Sequence, residues 1–203
     1  RTSSSAASDV YKRQPNSSSI WIADKNTIGV NEPVKLTWTS DQNITFEKII
    51  TLDENYLFSV DQRVINNSGL SFDLYPYGLS KRQGIPEMQN FFILHEGPLS
   101  ITDGVLEEYD YDDLKDDKKI KHSSVGGWIG MTDKYWQTAI IPNQNEPVQQ
   151  TYSYSFVNNI DNFQTDIVGE RIAVSNNASI SHNFKIFAGP KIVNIIDKYM
   201  EEY

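Results

Sequence analysis

The chain has 203 residues, 18 Lys+Arg against 27 Asp+Glu and a formal charge of −9. Polyanions are held by basic side chains that displace counterions, so nucleic acid is excluded as a partner, and anionic lipid headgroups are disfavoured by the same sign. With 38% hydrophobic and 12% aromatic residues there is material for one domain core; with 0 Cys there is no disulfide framework, thiolate metal site or cysteine nucleophile.

Residues 1–14 show no apolar period, and with 15–19 they form a leader that is either non-native or a flexible Ser-rich arm. A single domain is expected over 20–189, incomplete at its start. Val34, Leu36 and Trp38 face one way while Lys35, Thr37 and Thr39 face the other, the period of a half-buried strand. Runs 44–52 and 56–65 flank Asp53-Glu54-Asn55 and predict an antiparallel hairpin. Asn66-Asn67-Ser68-Gly69 is a turn, Leu70, Phe72 and Leu74 resume the alternation, and Pro76 ends it or places it on an edge. The stretch 107–121, dense in Asp, Glu and Lys, reads as a solvated loop. Further strands are expected at 135–141, 148–157, 167–174 and 178–188, giving roughly eight to ten in all. After Gly189, Pro190 fits a first helical position. Ile192, Ile195, Ile196, Tyr199 and Met200 then form one apolar stripe, so 190–203 reads as a short amphipathic helix. No run approaches the ~20 apolar residues of a membrane helix.

Chemistry-bearing patterns are sparse. His95, His122 and His182 stand singly, without a partner at ligand spacing. Asp110, Asp112 and Asp113 suggest calcium, but the calcium-loop template fails, with Leu114 at its fifth position and Lys115 where it needs Gly. Glu107 and Glu108 would point to opposite faces of a strand. Nucleophile elbow, phosphate loop and dinucleotide fingerprint are all missing. Asn16, Asn43, Asn66 and Asn177 fit the glycosylation triplet, which arises by chance in an Asn- and Ser-rich chain. No cofactor or metal is expected. Trp128, Tyr135 and Trp136 lie close in sequence and either line a groove or fill the core.

Four segments resemble one family. They are Thr45-Phe46-Glu47-Lys48 through Asn66-Asn67-Ser68; Tyr77-Gly78-Leu79-Ser80-Lys81-Arg82; Phe92-Ile93-Leu94-His95-Glu96-Gly97-Pro98 with Gly126-Gly127-Trp128-Ile129-Gly130-Met131-Thr132-Asp133-Lys134-Tyr135-Trp136 and Ile140-Ile141-Pro142; and Phe187-Ala188-Gly189-Pro190-Lys191, continuing to Tyr203. In this order they are similar to the large periplasmic domain of the bacterial YidC membrane-protein insertases, over 21–203. The resemblance implies an all-β, antiparallel β-supersandwich like galactose mutarotase, with a short C-terminal amphipathic helix leading toward a missing membrane span. It implies a non-catalytic domain on the periplasmic side of the inner membrane. Its implied partners are the Sec translocon components SecDF and SecYEG and nascent inner-membrane proteins, with SecDF meeting roughly 95–142. Candidate partner contacts are Gly126, Gly127, Trp128, Tyr135, Trp136, Ile192, Ile195, Ile196 and Tyr199. The alternative is a carbohydrate-binding or mutarotase-like module, which would need His95 or His182 to meet Glu170; a general interaction domain is a third reading.

Overall fold

A computed structural model describes residues 14–86, 95–192, 194, 195 and 199. These residues form fifteen strands and a short helix. The strands are β1 (Ile22–Ala23), β2 (Val34–Thr39), β3 (Ile44–Leu52), β4 (Leu57–Asn66), β5 (Phe72–Leu74), β6 (Tyr77–Gln83), β7 (Gly97–Thr102) and β8 (Val105–Glu108), then β9 (Lys119–Val125), β10 (Trp128–Thr132), β11 (Trp136–Ile141), β12 (Pro147–Val157), β13 (Ile160–Gly169), β14 (Ile172–Val174) and β15 (Ala178–Pro190). The helix α1 is Tyr111–Asp117. The chain divides into two compact units, one built from residues up to Leu52, Ser59–Leu74 and Arg171–Asn183, the other from Asp53–Phe58, Tyr75–Glu170 and Phe184 onward.

In the first unit β1, β2, β3 and β4 lie side by side, followed by the start of β15, while β5 pairs with β14. The expected alternation of β2 is present, with Trp38 paired to Phe46 and their rings 5.7 Å apart. Asn66, fully buried, ties this unit together. Its amide donates to the carbonyls of Leu70, Val174 and Ser175 at 2.7, 3.1 and 3.1 Å, and its oxygen accepts from the Ser68 N–H and hydroxyl. A buried polar side chain is tolerated only when satisfied in this way. Asn43 and Asn177 hold left-handed turn positions at φ 59° and 60°, where Asn is among the least strained residues.

The second unit is a sandwich. One layer runs in the order β15 (from Phe184), β11, β10, β7, β8 and the other β6, β13, β12, β9. Between them Ile129, Met131, Ile140 and Phe184 meet Val148, Tyr152, Phe163 and Ile167. Each such buried side chain contributes about 1.5–3 kcal/mol. Many outer positions of the second layer are polar, among them Lys81, Lys121, Gln149 and Gln164, with Tyr77, Leu79 and Val125 as exposed apolar exceptions.

Several expectations need correcting. The acidic stretch 107–121 is not a loop: it carries the end of β8, α1 and the start of β9. Its charges sit on one side of a helix whose Tyr111 and Leu114, three residues apart, are buried against Phe163 and its neighbours. The Asp113 carboxylate accepts the Asp110 N–H at 3.2 Å, and Asp112 and Asp113 suit the positive end of the helix dipole. Residues 167–174 are not one strand but the end of β13, a two-residue break at Glu170 and Arg171, and β14. Pro190 closes β15 opposite Trp136 instead of opening a helix. Of the expected C-terminal helix, Asn194, Ile195 and Tyr199 have helical backbone; Ile196, Met200 and the remaining residues lie outside the described ones.

Burial pushes the Tyr111 phenol up to about 12 and raises that of Tyr152 as well. A raised folded-state pKa means that stability is complete below the unfolded value of about 10 and is lost as pH climbs through the folded one. Urea unfolding at increasing pH therefore shows declining stability above about pH 10. The double variant Tyr111→Phe/Tyr152→Phe flattens that decline; an identical decline in both proteins would contradict the assignment.

Candidate docking face

The layer β15–β11–β10–β7–β8 is apolar on both sides. Successive strand residues point to opposite faces, so Ile129 and Ile140, paired in register, face the sandwich interior, while Trp128, Ala139, Ile141 and Phe187 face outward. Leu99 and Ile101 of β7 and Leu106 of β8 extend this outer face. Part of it is covered by the chain's own end. Ile195 packs on it, and Tyr199, 8% exposed, places its ring 6.0 Å from that of Phe187 and donates its hydroxyl to the Asp53 carboxylate. Beside this cover remains a groove of about 320 Å³ lined by Leu99, Ile101, Leu106, Trp128, Gln137 and Tyr199, with Glu108 contributing a charge.

The groove floor is fixed from beneath. Gln150, fully buried, donates to the carbonyls of Ile101 and Trp128 at 3.0 and 3.4 Å and accepts from the Thr102 hydroxyl at 2.7 Å. Gly126 and Gly127 launch β10 with φ of 66° and 71°. Gln144 clamps the second of them: its oxygen accepts the Gly127 N–H at 2.9 Å, and its amide donates to the carbonyls of Gly127 and Pro142 at 3.0 and 2.9 Å. A Cβ on Gly127 would lie 2.1 Å from the Ile101 carbonyl oxygen. Both glycines thus shape the groove through the backbone.

The structure separates the aromatic residues that are neighbours in sequence. Trp128 lines the groove at the start of β10, while Tyr135 and Trp136 sit at the far end of the β10–β11 hairpin, exposed to solvent. Among the stripe residues Ile195 and Tyr199 reach the outer face, Ile192 is exposed, and Ile196 lies outside the described residues. Gln150 and Gln144 were missed by the sequence reading. The available signal for Gln150 was an amide on the inward phase of a strand whose other inward positions are Val148, Tyr152 and Tyr154.

His95 and Glu170 are not brought together. His95 donates from Nε2 to the Pro98 carbonyl at 3.2 Å and lies 4.0 Å from Asp110, at the end of the sandwich where β7 begins. Glu170 lies at the other end, beside Tyr75 and Asp103. His122 is engaged by the Tyr109 hydroxyl at 2.9 Å.

The family model for the YidC periplasmic domain matches residues 2–203. The chain belongs to that family. Among its relatives are the proteins called membrane protein insertase YidC of Rickettsia canadensis, 37% identical over 93% of this chain and 34% of that protein, and of Pelagibacter ubique, 39% identical over 92% and 33%. The periplasmic domain thus spans about one third of the length of these relatives. Among solved structures, a putative aldose 1-epimerase from Klebsiella pneumoniae is 8% identical, with a TM-score of 0.44, over 85% of this chain and 55% of that one.

Gly104 and Gly127 separate backbone strain from collision, since both have positive φ but nothing lies within 4 Å of a Cβ on Gly104. In urea unfolding Gly104→Ala costs about 1 kcal/mol, the strain alone, and Gly127→Ala costs about 4 kcal/mol. Equal costs would show that the approach of Ile101 is not enforced.

Proposed function

We propose that this chain is the non-catalytic periplasmic domain of a membrane-protein insertase, on the outer side of a bacterial inner membrane, and that it works by docking. Residues 20–189 serve as the folded body and 190–203 lead toward a membrane span, with 1–19 as a leader. The reading rests on one observation: an apolar groove on the outer sheet face, lined by β7, β8, β10 and β11. Those strands fall within 95–142, the part that the family resemblance assigns to SecDF. An apolar segment of SecDF is the occupant that fits, through Leu99, Ile101, Leu106 and Trp128. SecYEG and nascent inner-membrane proteins are then met by the assembled complex. Gly126 and Gly127 act as positioning residues, Tyr199 forms part of the groove's wall and Ile195 packs on the same apolar cluster.

Site-specific photo-cross-linking in the full-length insertase tests this. A photoreactive residue at Leu106 captures SecDF in native membranes, whereas one at Lys121, on the polar outer face of the other layer, does not. Capture at neither position, or equally at both, would contradict the proposal.

A further inference from the structure

Two hairpin tips and the chain's departure point share one end of the second unit. The β10–β11 hairpin turns over after Thr132, which pairs with Gln137. The β12–β13 hairpin turns at Asn158 and Asn159, both left-handed at φ 54° and 62°. Phe163 pairs with Arg82, and Arg82 is ion-paired with Asp133, which brings both tips to the same end. There β15 stops as well: Pro190 lies opposite Trp136, and the Lys191 N–H donates to the Tyr135 carbonyl at 2.8 Å.

This end carries large apolar side chains in water. Tyr135 is 64% exposed, Trp136 60%, Phe156 59%, Val157 53%, Ile192 45% and Ile160 43%. Single exposed apolar residues are ordinary, but here they crowd three segments held side by side. The Asn158-Asn159 turn needs only its two Asn residues, so backbone geometry does not account for Phe156, Val157 and Ile160 around it. Lysines accompany the rings: Lys134 Nζ stands 5.1 Å from the centre of Tyr135 and Lys118 Nζ 4.6 Å from that of Tyr154. Of the carboxylates at this end, Asp133 is engaged by Arg82 and Asp161 by the Tyr154 hydroxyl at 2.8 Å, while those of α1, Asp112, Asp113, Asp116 and Asp117, stand in water beside it. The opposite end mixes exposed Tyr75, Val105 and Val125 with Asp103, Glu170, Ser123 and Gln149, without an exposed tryptophan among its described residues.

We propose that this end is a bilayer contact, in which Tyr135, Trp136 and the Phe156–Ile160 tip rest in the headgroup region of a lipid surface. Trp and Tyr prefer that zone because an amphipathic ring meets both phases there, and Lys side chains reach outward beside them. The chain's net charge of −9 gives no attraction to anionic lipid, so the contact is made by rings and aliphatic groups on a zwitterionic interface. Tethering to a membrane span supplies the effective concentration that a small contact needs. The inference goes beyond the docking groove, which lies on a sheet face of the same unit, and it rests on the reading that places this domain beside a membrane.

The test uses the 203-residue chain with a C-terminal hexahistidine tag, held on nickel-chelating vesicles of phosphatidylcholine with or without brominated acyl chains. Bromine quenches only rings that reach the bilayer. Of the second unit's two Trp residues, Trp128 and Trp136, the latter is the one at this end, so brominated vesicles quench part of the tryptophan emission through Trp136. Trp136→Ser, checked for an unchanged circular dichroism spectrum, loses this quenching, and Phe156→Ser reduces it. No quenching of the tethered wild type, or equal quenching in Trp136→Ser, would overturn the contact. Either result would leave the docking reading standing, since cross-linking at Leu106 reports on that separately.

Discussion

A sheet that is apolar on both faces must be covered twice, and the second unit is organised around that constraint. The inner face of β15–β11–β10–β7–β8 is covered by the opposing sheet and by α1, which brings Tyr111 and Leu114 into the same core. The outer face has no second sheet among the described residues of this unit, and Ile195 and Tyr199 serve instead. Because they cover only part of it, an apolar groove persists beside them. Contiguous exposed apolar surface marks an interaction site more often than it marks indifference.

Buried amides hold this arrangement in register. Gln150 bridges β12 to the backbones of Ile101 and Trp128, so the groove floor is fastened to the opposite sheet by hydrogen bonds and by packing. In the first unit Asn66 plays a comparable part, joining its own turn to the carbonyls at the end of β14 and just after it. Side chains of this kind specify one register, because a slip would leave them buried and unsatisfied.

Much of the β architecture could be read from the sequence. Period two placed β2 and β12 closely, because one face of each strand is wetter than the other, while β3 and β11 were placed as β-rich runs bounded by turn residues. The same rule failed where both faces are covered or where the element is short. α1 spans seven residues, and its two buried side chains are outnumbered by charges, so composition pointed to a loop. The break between β13 and β14 was hidden because apolar residues continue on both sides of it. The candidate docking face was half legible: Trp128 and the stripe of Ile195 and Tyr199 were picked out, but nothing local predicts that they meet across nearly seventy residues of chain. Tyr135 and Trp136 were grouped with Trp128 by proximity in sequence, and a strand five residues long carries them to its other end.

The chain's own end is part of the outer cover. Limited trypsin digestion tests it most directly, by following cleavage at Lys191 in the wild type and in Ile195→Asp. A carboxylate among Trp128, Phe187 and Tyr199 would have to be desolvated or neutralised, so the account predicts slow cleavage in the wild type and rapid release of the terminal segment in the variant. Equal cleavage rates in the two proteins would contradict it.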